Sequence, residues 1–201
     1  MLKALTELLV PSWCAGCGEP GAVLCGGCRS GMSALRRVHR LARPGMPPVY
    51  ALADYAGAAR RAVIAYKERG RRELAAPFGS LLAGALRTLP PAVLVPVPSR
   101  PRAVRSRGFE HVALIAAHTA AVSAATVRPL LRLDRRARDS VGLDPDQRAR
   151  NLAGKLTCVP TRAKVVLIDD VVTTGATATA CCNALTSAGA VVVAVVALTA
   201  T

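Results

Sequence analysis

Apolar positions fall into short blocks separated by polar turns, and their spacing predicts strands alternating with helices. Residues 49–55 read as a strand, 58–67 as a helix, and 73–89 as a second helix with Pro77 tolerated in its first turn. Residues 93–97 form a short apolar run of the kind found in buried strands. A loop over 98–108, a helix over 109–122 and a strand over 127–133 follow. The charged stretch 134–155 contains Asp144 and Pro145, an N-cap and first-turn proline that open a short helix. The chain closes with a strand over 165–168, a helix over 176–188 and a strand over 190–198. Near-continuous apolar strands alternating with helices imply a parallel sheet covered on both faces, so the main unit is α/β.

At the front of the chain, Leu2, Leu5, Leu8 and Leu9 fit a short amphipathic helix. Thr6 and Glu7 interrupt the apolar centre an export signal needs, and no small-residue cleavage site follows. The longest apolar run, 188–198, is shorter than the roughly 20 residues of a spanning helix. The expectation is therefore no membrane insertion, a cytoplasmic location and reduced thiols. The breaker-rich Pro44-Gly45-Met46-Pro47-Pro48 divides the chain into a front module, 1–48, and a main domain, 49–201.

Charge adds one expectation. With 27 basic and 12 acidic residues the chain carries a formal +15, which suits an anionic partner. Only four of the cations are lysines, and an arginine- and alanine-rich chain also follows from biased base composition of its gene. The six aromatic residues do not cluster into a base-stacking platform, which disfavours a dedicated single-strand binder.

Cys14 and Cys17 are two residues apart, as are Cys25 and Cys28, with seven residues between the pairs. Four thiolates so spaced can converge tetrahedrally, and Gly16, Gly18, Gly26 and Gly27 permit the tight turns required, so structural Zn²⁺ is expected. Redox chemistry of the CxxC type is the alternative, but neither pair lies in a βαβ context. Cys158, Cys181 and Cys182 read as core residues. His39, His111 and His118 form no cluster in the sequence and read as structural or surface residues.

The most informative stretch runs from the apolar strand 165–168 through Asp169 and Asp170 to Thr173, Thr174, Gly175, Ala176 and Thr177, which open a helix. Small residues, hydroxyls and the free N–H groups of a helix N-terminus make an anion cradle. It contains no lysine, and its glycine spacing matches neither the nucleotide-triphosphate loop nor the dinucleotide fingerprint. Carboxylates repel phosphate, so Asp169 and Asp170 should face hydroxyls or a divalent metal. Ribose 5-phosphate satisfies both demands, with its phosphate in the cradle and its 2′ and 3′ hydroxyls on the acids. An ordinary strand-to-helix turn with a surface acid pair is the alternative.

This stretch resembles the 5-phosphoribosyl 1-diphosphate signature of the type I phosphoribosyltransferases. Over nearly the whole chain the sequence is similar to the ComF/GntX group, through the paired CxxC motifs, Tyr66-Lys67 followed by Gly70, and Val-Pro-Val-Pro at 95–98. Arg107-Gly108-Phe109, and Arg148 with Asn151, extend the likeness. Two positions depart from it: Ser140 stands ahead of Leu143 in place of a glutamine, and Glu110 follows Phe109 in place of an Asn or Gln. The resemblance implies a type I phosphoribosyltransferase-like parallel sheet with flanking helices behind a small zinc-ribbon-like module. It also implies phosphoribosyl transfer from 5-phosphoribosyl 1-diphosphate, with Mg²⁺, to a nitrogen nucleophile. Ser99, Arg100 and Arg107 then belong to the diphosphate loop, with Lys67 a further contact, and 134–151 to a lid carrying Arg148 and Asn151. The group's link to competence suggests the alternative of a DNA-uptake adaptor holding single-stranded DNA or meeting the competence machinery, its sugar-phosphate site regulatory or vestigial.

Overall fold

The computed structural model describes residues 12–133 and 155–201. The amphipathic helix expected near 2–9, the helix opened by Asp144 and Pro145, and the lid residues Arg148 and Asn151 lie outside the described residues. After a short helix α1 (Gly26–Ser30) come β1 (Arg36–Arg37), a 3₁₀ turn (His39–Leu41), β2 (Val49–Asp54) and α2 (Gly57–Glu68). A second 3₁₀ turn (Arg72–Leu74) leads into α3 (Ala75–Leu86), followed by β3 (Val93–Pro96), α4 (Pro101–Arg107) and α5 (His111–Ala121). The rest comprises β4 (Leu131–Leu133), β5 (Leu156–Cys158), β6 (Lys164–Val172), α6 (Ala176–Ser187) and β7 (Val191–Ala200).

Five strands form one sheet in the order β1-β2-β7-β6-β3, with β1 antiparallel to β2 and the remaining pairs parallel. The alternation of side chains along each strand divides the core in two. Leu52, Leu94, Val166, Ile168, Val196 and Leu198 face α2, α3 and α5. Val95, Val165, Leu167, Val195 and Ala197 face α6 together with Leu41. The expected α/β class with a mostly parallel sheet and helices on its faces is what the structure has. Cys14, Leu24 and Met32 of the front module pack into the same core as Leu52 and Tyr66.

Three expectations need correction. Residues 101–107, read as loop, are helical: Pro101 occupies the first turn, where its missing N–H costs nothing, and Gly108 closes the helix at φ +76°. The strand expected over 127–133 is confined to Leu131–Leu133, which pairs with Leu156–Cys158 in a separate two-stranded antiparallel sheet. Pro129 has no N–H to give a ladder, and Val127 makes only an isolated bridge to Leu94. Strand β6 does not end at Ile168 but continues through both acids to Val172, because β7 pairs with it that far, Asp169 opposite Ala197 and Val172 opposite Ala200. Cys181 and Cys182 are buried as expected, whereas Cys158 is only half-buried.

Helices α3 and α5 cross at Gly79, where a methyl group would lie 2.6 Å from His118 Cβ and 2.9 Å from the backbone of His118 and Thr119. Backbone cannot yield as a side-chain tip can, so Gly79→Ala should cost about 2 kcal/mol by overpacking, read as a lower midpoint in urea unfolding.

Candidate functional site

The carboxyl ends of β3 and β6 lie side by side, since the two strands are parallel and in register from Val93 opposite Val165 to Pro96 opposite Ile168. In open parallel sheets this edge is where ligands sit. After β6 the chain turns through Thr173 and Thr174 to Gly175, which takes φ +76° and begins α6. A cavity of about 220 Å³ at this helix N-terminus is lined by residues 171–178, Asp169 and Arg100. Every cradle residue expected from the sequence, Thr173, Thr174, Gly175, Ala176 and Thr177, lines it. Thr174 Oγ1 accepts from the Ala176 N–H at 3.4 Å, which shapes the first turn.

The front module closes one side of the turn. Leu41 packs over Gly175, where an added Cβ would lie 3.3 Å from Leu41 Cδ2. Its neighbour Arg40 donates to the Thr173 carbonyl at 2.7 Å and to Thr201 Oγ1 at 3.3 Å. Arg40 was not expected at the site: it lies in a basic run without a motif, and only the fold brings it to the cradle.

A second, larger cavity of about 940 Å³ adjoins the first and is lined by residues 96–102, Val104, Arg105, Glu110 and the strand β4. Arg100 lines both, so the cradle and the larger cavity meet at this side chain.

The two acids have different surroundings. Asp169 lines the cradle and accepts the Asp170 N–H at 2.8 Å on Oδ1. Burial pushes its carboxyl well above the ordinary carboxylate range, and the charge of Asp170 and a hydrogen bond between the carboxyls act in the same direction. Asp170 turns toward α2 and α5, on the same sheet face as Val166 and Ile168. Its Oδ2 lies 2.8 Å from Lys67 Nζ and 3.1 Å from His111 Nε2. Both approach outside ideal hydrogen-bond geometry, and the attraction of Lys67 is chiefly of charge. Burial opposes its ionisation, but His111 and the positive charge of Lys67 outweigh it and hold the carboxyl below the ordinary range.

Lys67, expected beside a diphosphate, is thus placed on Asp170, because α2 delivers its last turn to the buried end of β6. His111, read as structural or surface, is buried at the junction of the expected residues. Its Nδ1 meets Arg107 and, at 3.2 Å, Ser99 Oγ. The Tyr66 hydroxyl donates to the His111 carbonyl at 2.6 Å. Asp170, Lys67, Ser99 and Arg107, drawn from separate parts of the sequence, therefore converge around His111, which is buried and so structural rather than surface. The one available signal was its place immediately after Arg107-Gly108-Phe109.

Away from this edge, Cys14, Cys17, Cys25 and Cys28 bring their sulfurs within 4.8 Å of one another. Cys17 Sγ and Cys25 Sγ are 3.5 Å apart. Zinc–sulfur bonds of about 2.3 Å set tetrahedral sulfurs roughly 3.8 Å apart, so these four thiols could hold one zinc ion. The Cys25 N–H points at Cys14 Sγ at 3.3 Å. Although burial opposes it, such N–H groups bring the Cys14 thiol down to about 6, whereas burial and the neighbouring sulfurs push Cys28 up. A metal would bind the four as thiolates, and the donor set suits Zn²⁺. Among the described residues no other group of three or more His, Cys, Asp or Glu is placed to ligate a metal, and no helix is long and apolar enough to cross a membrane.

No protein-family model matches the chain, and a search of curated proteins likewise finds no match.

Two predictions follow from these geometries. Zinc analysis should give one ion per chain, and a strong chelator or Gly16→Ala, whose methyl would sit 2.7 Å from Cys28 Sγ, should lower the melting temperature. The acids should respond with opposite sign. Asp170→Asn strands Lys67 and should cost about 3 kcal/mol at neutral pH, whereas Asp169→Asn keeps the acceptor without the charge and should stabilise by about 1 kcal/mol. The depressed Asp170 stabilises above the unfolded-state value and less as pH falls through its folded value. The raised Asp169 stabilises below the unfolded-state value and less as pH rises through its folded one, so the gain from Asp169→Asn should grow with pH in urea titrations.

Proposed function

We propose that this chain is a phosphoribosyltransferase-like protein of the ComF/GntX kind, with a type I phosphoribosyltransferase core, that binds 5-phosphoribosyl 1-diphosphate. The observation that carries this reading is the pair of adjoining cavities at one strand edge, a small anion cradle and a larger basic one, joined at Arg100. A pentose carrying a monoester at one end and a diphosphate at the other has the polarity these cavities offer.

The 5-phosphate sits on the N–H groups of Thr174 to Thr177, where the helix N-terminus favours negative charge. Asp169, on the wall of the same cradle, takes the ribose hydroxyls. Ser99, Arg100 and Arg107 line or support the diphosphate side, and Asp170 holds Lys67 and His111 behind it. Mg²⁺ arriving with the diphosphate supplies further charge neutralisation. A nitrogen lone pair attacks C1 on the face opposite the diphosphate as the C1–O bond to the diphosphate breaks, inverting C1, and the acceptor's N–H proton leaves with the diphosphate or to water. The departing charge is met by the arginines, and positioning rather than proton transfer is the protein's main task.

Calorimetry with 5-phosphoribosyl 1-diphosphate, with and without Mg²⁺, tests the reading. Wild type should bind, and Asp169→Val, which removes both donor and acceptor, should weaken binding about tenfold or more. Absence of wild-type binding, or unaltered affinity in the variant, would refute it.

A further inference from the structure

His111 opens α5 with Glu110 as its N-cap residue, and it is one of few polar residues buried among the described residues, 5% exposed. Four elements meet there: β6 through Asp170, α2 through Lys67 and Tyr66, the segment after β3 through Ser99, and the end of α4 through Arg107. A guanidinium has only donors, so the nitrogen that meets Arg107 must offer a lone pair. Nδ1 is therefore bare, Nε2 carries the ring proton and faces the Asp170 carboxylate, and the ring is neutral. The Tyr66 hydroxyl on the His111 carbonyl, and Tyr66 stacked edge-on against Phe109 with centroids 5.5 Å apart, fix the backbone from which the ring projects.

We propose that His111 is a positioning residue: as the Nε2–H tautomer it ties Arg107 and Ser99 to Asp170, and so holds the basic segment 99–107 in register with the end of β6. Arg107 is the last residue of α4, no residue of that short helix is buried, and Gly108 follows in the left-handed region. The imidazole gives the last residue of that helix a buried fixed point. It accepts on one side and turns its Nε2–H toward the carboxylate, 3.1 Å away, on the other, so that one ring spans a cation on a short helix and a carboxylate near a strand end. A side chain with a donor and an acceptor, such as glutamine, can replace it; one with neither cannot. The role rests on the reading above, in which segment 99–107 meets the diphosphate.

Ribose 5-phosphate reports on the cradle alone, and 5-phosphoribosyl 1-diphosphate with Mg²⁺ reports on cradle and basic segment together. Calorimetry of both ligands on wild type, His111→Leu and His111→Gln separates the two. His111→Leu should weaken the diphosphate ligand at least about tenfold more than it weakens ribose 5-phosphate, and His111→Gln should restore most of the difference. Equal weakening of both ligands in the leucine variant, or no rescue by glutamine, overturns the positioning role and leaves the cradle intact. Absence of wild-type binding to either ligand removes the reading itself and the role with it. If the leucine variant fails to fold, the tautomer still decides: nitrogen NMR of the wild-type ring should show a bare Nδ1 and a protonated Nε2, and a protonated Nδ1 overturns the proposal.

Discussion

A carboxylate at the end of an apolar strand is the constraint around which this molecule is arranged. Asp170 is 3% exposed, and an ion so placed is tolerated only if a charge and hydrogen bonds replace the water it has lost. Lys67 supplies the charge, and the Val171 N–H supplies a hydrogen bond to Oδ1 at 2.9 Å. The consequence is architectural. To satisfy one side chain of β6, α2 must end where Lys67 can reach it, and α5 must begin with a ring facing it. Tyr66, one residue before Lys67, then packs between Phe78 and Phe109, so the buried ion pair and the aromatic centre of the core are built on the same turn of helix.

The front module is tied to the same edge by a different route. Its cysteine loops are braced by Arg61, which donates to the Gly16 carbonyl, and by Arg71, which donates to the Trp13 carbonyl at 2.9 Å. Its 3₁₀ turn lays Leu41 on Gly175 and Arg40 on Thr173. A small segment with little apolar area of its own gains order from the metal-sized cluster at one end and from this packing at the other. The turn that forms the cradle thus has one wall made by the main sheet and one made by residues that precede it by more than a hundred positions. The geometry of the cradle depends on both.

Much of this was legible in the sequence because it depends on local chemistry. The apolar runs of β3, β6 and β7, the glycine and threonines of the cradle, and the two CxxC pairs are each encoded within a dozen residues. What was illegible required tertiary pairing. The helix over 101–107 was signalled by Pro101 and Gly108, but the arginines between them hid the pattern, since none of its residues is buried. The extension of β6 through Asp169 and Asp170 contradicts local propensity and follows only from β7 continuing beside it. The partners of Asp170 were unreadable for the same reason: Lys67 and His111 are separated from it by the whole sheet topology. Arg40 lies in a basic run that composition marks as solvent-facing, and the fold alone selects one member of that run for the cradle.

The sequence poses an electrostatic problem, two acids beside a phosphate cradle, and the structure contains the terms of its solution. Asp170 is directed to the far face of the sheet and its charge is matched by Lys67. Asp169 remains on the cradle wall, but burial and the neighbouring carboxylate shift it toward the neutral acid. The repulsion expected of a pair of carboxylates is thereby reduced without removing either residue. A neutral carboxylic acid offers one donor and one acceptor, which suits a hydroxyl better than a second anion does. Arg40 and Arg100 complete the balance by placing positive charge at the two margins of the turn. The two acids therefore differ in kind: Asp170 is a buried anchor for Lys67, and Asp169 lines the cavity at the start of α6.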